Sequence, residues 1–65
     1  MSKYIGTFNY ANGYNWIRIW KKVTQDTYKE VSGSTDDKET RERYKEKYNI
    51  KEFVDLKLCN FKYII

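Results

Sequence analysis

The sequence predicts a small α+β domain whose elements follow in the order β-β-β-α-β. Three observations predict it: side-chain polarity alternates on both sides of an Asn-Gly pair near the start, a charged segment with a helix-capping start follows, and alternation returns near the end. A chain of 65 residues has room for one hydrophobic core, so residues 1–65 are expected to form a single domain.

The first predicted element is a β-hairpin over residues 3–23. Asn12-Gly13 is the strongest short-range signal for a two-residue type I′ turn, because both central positions of that turn need positive φ. The turn fixes a register in which facing residues are Ala11 and Tyr14, Asn9 and Trp16, Thr7 and Arg18, and Ile5 and Trp20.

This register sorts the hairpin side chains onto two faces, because neighbours on a strand point to opposite sides. The first, here called the apolar face, is suited to a core and holds Tyr4, Gly6, Phe8, Tyr10, Asn15, Ile17, Ile19, Lys21 and Val23. The second, here called the aromatic face, alternates aromatic and cationic residues and holds Lys3, Ile5, Thr7, Asn9, Tyr14, Trp16, Arg18, Trp20 and Lys22.

A short third strand is predicted over residues 27–32, ending where Ser32-Gly33-Ser34 breaks the alternation. Ser34 or Thr35 is expected to cap a helix over residues 35–48, whose acidic first turn complements the positive end of the helix dipole. Its apolar stripe is narrow, and consists of Tyr44 and Tyr48 with help from Thr40. The helix is therefore expected to lie across one face of the sheet.

The last predicted element is a C-terminal strand over residues 53–65. Apolar residues change parity between Leu58 and Phe61, so a bend near Cys59-Asn60 is expected to divide the strand in two. Such a strand could curl the sheet into a small half-barrel. One helix cannot cover both sheet faces, so the other face is expected to stay open or to meet a partner, a second copy of the chain included.

Composition argues for binding and against catalysis. The chain has no histidine and a single cysteine, Cys59, so it lacks the usual catalytic bases, a disulfide and a zinc ligand set. We expect no catalytic residue, no cofactor, no metal and no small-molecule substrate. A lone thiol is typical of a reducing compartment, and neither a secretory signal nor a membrane-spanning run is present, which predicts a cytoplasmic protein away from membranes.

Charge placement points to an anionic partner. Residues 1–25 contain Lys3, Arg18, Lys21 and Lys22 and no acid, so all of the formal net charge of +4 lies there. Aromatic rings beside cations are typical of single-stranded nucleic-acid sites, and a two-stranded ribbon also fits the major groove of DNA. The leading hypothesis is therefore nucleic-acid binding through residues of the aromatic face, namely Lys3, Thr7, Asn9, Tyr14, Trp16, Arg18, Trp20 and Lys22.

Two alternatives stay open at this point. In the first, both tryptophans are core residues, the helix covers the aromatic face and the C-terminal strand covers the apolar face. In the second, the aromatic face binds a protein, because Trp, Tyr and Arg are enriched at interface hot spots. By analogy with small genes of A/T-rich phages and mobile elements, such a protein would be a stoichiometric inhibitor of a host nucleic-acid enzyme, as anti-CRISPR proteins are.

One partial resemblance concerns the order of sheet and helix. Gly33-Ser34-Thr35 before a charged helix, after three strands, resembles three-stranded DNA-binding domains of integrase type over about half of the chain. The resemblance implies DNA binding. The strand after the helix departs from that pattern, so the sequence assigns no family.

Overall fold

A computed structural model describes residues 3–64 and confirms the predicted α+β class and element order. Its elements are β1 (Tyr4–Ala11), β2 (Tyr14–Lys22), β3 (Thr27–Thr35), α1 (Lys38–Tyr48), β4 (Phe53–Asp55), a 3₁₀ turn (Leu56–Leu58) and β5 (Lys62–Ile64). The strands form one sheet in the order β4-β1-β2-β3-β5, curled into a half-barrel. Within residues 3–64, no helix combines the length and the apolar composition needed to cross a bilayer.

The hairpin register is confirmed at every predicted pair, from Ala11 opposite Tyr14 to Ile5 opposite Trp20. Asn12 and Gly13 have φ values of 54° and 83°, the two positive angles that a type I′ turn requires. The turn chemistry thus decides which side chains share a face, and both predicted faces form as described.

The helix and the hydrophobic core lie on the apolar face. Ile17, Ile19, Ile50 and Phe53 form the buried cluster, and the rings packed against it are those of Tyr4, Phe8, Tyr44 and Tyr48. Gly6 lets β4 approach β1, because a Cβ there would lie only 2.7 Å from the Phe53 ring. The first alternative from sequence is therefore wrong in placing the helix over the aromatic face, since the narrow tyrosine stripe packs on the opposite side. It is right that Trp20 is a core residue.

The third strand is longer than predicted. It continues to Thr35 instead of ending at residue 32, because a bulge at Val31 shifts the pairing between Ile19 and Trp20 and lets Ser32-Gly33-Ser34 stay in the sheet. This extension also moves the start of the helix, because Ser34 and Thr35 remain paired with β2 and cannot act as caps.

Asp37 caps the helix instead of Ser34 or Thr35. Its backbone is extended, with φ −140° and ψ 161°, and its carboxylate accepts hydrogen bonds from the Thr40 backbone N–H at 2.8 Å and from the Thr40 hydroxyl at 3.0 Å. The backbone bond, followed by the hydroxyl bond, lowers the pKa of Asp37 below its ordinary value of 3.8. The cap is therefore strongest when the carboxylate is ionised.

Replacing Asp37 with alanine is expected to lower the free energy of unfolding at neutral pH. A carboxyl whose pKa is depressed in the folded state stabilises that state above its unfolded pKa, and the stabilisation is lost as the pH falls through the folded pKa. Melting temperatures of the wild type and Asp37→Ala should differ at neutral pH and converge well below pH 3.8. Asp37→Asn keeps an acceptor and should lose less; a difference that stays constant in acid would contradict the assignment.

The C-terminal strand departs most from the prediction of one bent strand over residues 53–65. β4 and β5 lie at opposite edges of the sheet, where β4 runs parallel to β1 and β5 runs parallel to β3. The predicted break near Cys59-Asn60 falls between them, and Ile65 lies outside the described residues. Residues 56–61 carry the chain from one edge to the other, and residues 56–63, which include the first two residues of β5, are here called the crossing segment.

Candidate functional site

The crossing segment divides the aromatic face. Trp20 lies beneath it with 0% of its surface exposed, and the indole centroid is 5.9 Å from the Phe61 ring and 4.9 Å from the Tyr63 ring. The Trp20 Nε1–H donates to the Thr7 hydroxyl at 2.8 Å, and Thr7 is also fully buried. The structure thus places Trp20 and Thr7, two of the predicted contact residues, in a second, smaller core.

The part of the aromatic face nearest the Asn-Gly turn, here called the tip half, stays accessible. It comprises Asn9, Tyr14, Trp16 and Arg18, of which Tyr14 is 61% exposed while the other three are partly buried. The Trp16 Nε1–H donates to the Ala11 carbonyl at 2.9 Å, and the Tyr14 ring meets the indole edge-on with centroids 6.0 Å apart. These two contacts fix the orientation of the indole, so the Trp16 ring is already oriented for stacking with a ligand ring.

Arg18 is held by a carboxylate that sequence reasoning missed. Its Nη1 lies 3.0 Å from Glu30 Oε1, and the two side chains are 27% and 21% exposed. Arg18 Nε and Asn9 Oδ1, in contrast, are buried without a hydrogen-bond partner. The tip half and Glu30 together are thus neutral in sum, yet the tip half contains a buried donor and a buried acceptor without a hydrogen-bond partner.

A cavity of about 250 Å³ opens next to this ion pair. Its lining residues are Trp16, Ile17, Arg18, Glu30, Gly33 and Ser34. Glu30 and Gly33 reach the same face only because Val31 is bulged, since regular alternation would place residues of odd and even number on opposite sides. No signal in the sequence locates the bulge, apart from the glycine itself.

The other accessible part of the site is the end of the sheet away from the turn. Lys3 lies opposite Lys22, whose backbone N–H donates to the Lys3 carbonyl at 3.0 Å, and Lys21 lies opposite Lys29. All four lysines, here called the lysine end, are exposed; Lys3 and Lys22 lie on the aromatic face, and Lys21 and Lys29 lie on the apolar face at the same end of the sheet. The sequence does not point to Lys29, because residues 26–65 are neutral in sum and only the strand pairing brings this lysine next to Lys21.

The lysine end has no acidic partners among residues 3–64. The salt bridges of the described residues join Arg18 to Glu30, Arg41 to Asp36 and Arg43 to Glu39, and none of them includes a lysine. Like charges directly opposite on neighbouring strands destabilise a sheet. The two lysine pairs therefore add nothing to the stability of the folded protein.

Two further groups, the Arg41 guanidinium and the Cys59 thiol, belong to the scaffold and not to the candidate site. Arg41 is bound by both carboxylate oxygens of Asp36 at 2.6 and 2.7 Å, and these bonds raise its pKa further. Burial, followed by the charge of Asp55, raises the pKa of the Cys59 thiol, so little reactive thiolate forms at neutral pH. No cluster of three or more His, Cys, Asp or Glu side chains suited to a metal ion occurs in the described ranges.

Comparison with known protein families, with curated proteins and with solved structures finds no match to this chain.

Proposed function

We propose that the protein binds single-stranded nucleic acid, with the lysine end on phosphates and the tip half on bases. The observation that carries the proposal is the lysine end. In each of its two pairs, one lysine faces another across neighbouring strands, and all four side chains are exposed and without a carboxylate partner in residues 3–64. A bound polyanion places phosphates next to these lysines and so offsets the repulsion between them. Each neutralised phosphate also releases condensed counterions, which favours binding.

The tip half supports the same partner. Trp16 presents an indole whose orientation is fixed, and Tyr14 adds an exposed ring beside it. Bases stack on such rings with about 1–3 kcal/mol each, provided that they are unpaired. Trp16 and Lys22 lie on one strand, so roughly 20 Å separates them, a distance that a strand of several nucleotides spans.

The test is a salt titration of labelled single-stranded DNA, single-stranded RNA and duplex DNA of about 12 nucleotides, followed by fluorescence anisotropy. Four phosphate contacts predict a log–log slope of about −2.8 on a single strand, so affinity should fall about 50-fold between about 50 and 200 mM salt. Single strands should bind more tightly than duplex, because only they offer unstacked bases. Absence of binding to every oligonucleotide at low salt would contradict the proposal.

A second candidate function is stoichiometric inhibition of a nucleic-acid enzyme, and the exposed tyrosines at the hairpin tip favour it. Tyr10 and Tyr14 flank the turn with 66% and 61% of their surfaces exposed, and tyrosine is enriched at interface hot spots. This function predicts weak oligonucleotide binding and a complex of fixed stoichiometry that survives nuclease treatment. Tyr10→Ser with Tyr14→Ser should disrupt that complex, whereas substitutions at the lysine end should not.

A further inference from the structure

The cavity beside Arg18, here called the slot, has room for one flat ring system. Gly33 forms part of its lining and contributes no side chain; a Cβ there would lie 2.9 Å from Glu30 Oε2 and 3.6 Å from the Ile17 carbonyl oxygen. Trp16, whose indole Nε1–H is bound to the Ala11 carbonyl, is another lining residue. A volume of about 250 Å³ admits one base and excludes a helix or a strand.

The polar groups beside this slot form a donor–acceptor pair. Glu30 uses Oε1 for Arg18, while its Oε2 lies over Gly33. Arg18 uses Nη1 for Glu30, and its Nε–H is buried without a partner. A guest that brings a carbonyl oxygen toward the guanidinium and N–H groups toward the carboxylate would satisfy both.

We propose that this slot receives one unstacked base of the bound strand and prefers guanine, an inference that rests on the proposed nucleic-acid binding. Guanine alone among the four common bases carries two adjacent N–H donors, at N1 and the 2-amino group, beside a carbonyl oxygen. A carboxylate can accept from both donors while the arginine donates to the oxygen. Recognition of an unstacked base by its edge, with its face on an aromatic ring, is the usual mode for single strands.

The experiment compares labelled oligothymidine of about 12 nucleotides with the same strand carrying one central guanine or one central inosine, which lacks the 2-amino group. The guanine strand should bind the wild type about tenfold more tightly than oligothymidine, within the range that one good base contact provides. The inosine strand should lie between them. Since this comparison changes only the ligand, it does not depend on how any variant folds.

Protein variants test whether the guanine preference comes from the slot. Glu30→Gln and Gly33→Val, which fills the slot, should each bring the guanine-to-thymine affinity ratio close to one. Glu46→Gln removes a helix carboxylate of the same type and should keep the ratio.

Equal affinity of the wild type for all three strands would overturn the inference and leave the proposed function intact. A guanine preference that survives both slot variants, each verified as folded by circular dichroism, would also overturn it. Failure to bind any strand would refute the proposed function itself.

Discussion

Replacing Trp20 with alanine is expected to unfold the protein, whereas replacing Trp16 with alanine should leave it folded and weaken nucleic-acid binding. Trp20 is fully buried against Phe61 and Tyr63 and donates a hydrogen bond to Thr7. Truncating a buried tryptophan costs about 3–5 kcal/mol. A domain of this length has a free energy of unfolding of only about 3–10 kcal/mol, so the loss removes most or all of it.

Thermal denaturation followed by circular dichroism measures this difference. Trp20→Phe is the matched control, because it keeps an aromatic ring beneath the crossing segment while it loses the indole hydrogen bond and part of the buried volume. It should retain a cooperative transition at a lower temperature. Trp16→Ala should melt close to the wild type, since its indole is partly exposed and makes one backbone hydrogen bond. A Trp20→Ala protein as stable as the wild type would contradict the assignment of Trp20 to the core.

Replacing Lys22 and Lys29 together with glutamate is expected to raise stability and abolish nucleic-acid binding. Each substitution turns a like-charge cross-strand pair into an opposite-charge pair, with Lys3 and Lys21 respectively. Such pairs contribute about 0.2–1 kcal/mol each relative to a neutral pair, so the melting temperature should rise. The formal net charge falls from +4 to zero, because each substitution removes two units, and the salt dependence of any remaining binding should largely disappear.

The control variant changes the net charge by the same amount at positions outside the lysine end. Lys38→Glu with Lys51→Glu alters two exposed lysines outside the lysine end, so its affinity should fall by a small factor through long-range repulsion alone. Equal loss of affinity in both double variants would show that overall charge matters and that the lysine end has no specific role. Lower stability in the Lys22 and Lys29 variant would contradict the repulsion on which the argument depends.

Local chemistry is enough to predict the hairpin and its two faces. Asn12-Gly13 fixes the register by itself, because the turn type and the period of two leave no freedom in which side chains share a face. The helix was also predictable from its capping segment, although the cap proved to be Asp37, since Ser34 and Thr35 are held in β3. These features depend on contacts between residues close in sequence.

The fate of the two tryptophans could not be predicted in the same way. Trp16 and Trp20 share a face and a strand, so no local pattern separates them. What buries Trp20 is the crossing segment, whose course depends on β4 and β5 joining opposite edges of the sheet. The slot beside Arg18 has a similar origin, because the bulge at Val31 brings Glu30 and Gly33 to one side.

The most direct measurement of nucleic-acid binding by the tip half and the lysine end uses the two indole N–H signals in a ¹⁵N–¹H spectrum of the protein titrated with single-stranded DNA. We expect the Trp16 signal to shift together with the backbone signals of Lys3, Lys22 and Lys29, while the signal of the buried Trp20 stays in place. Shifts confined to α1, or a spectrum unchanged at saturating oligonucleotide and low salt, would contradict it.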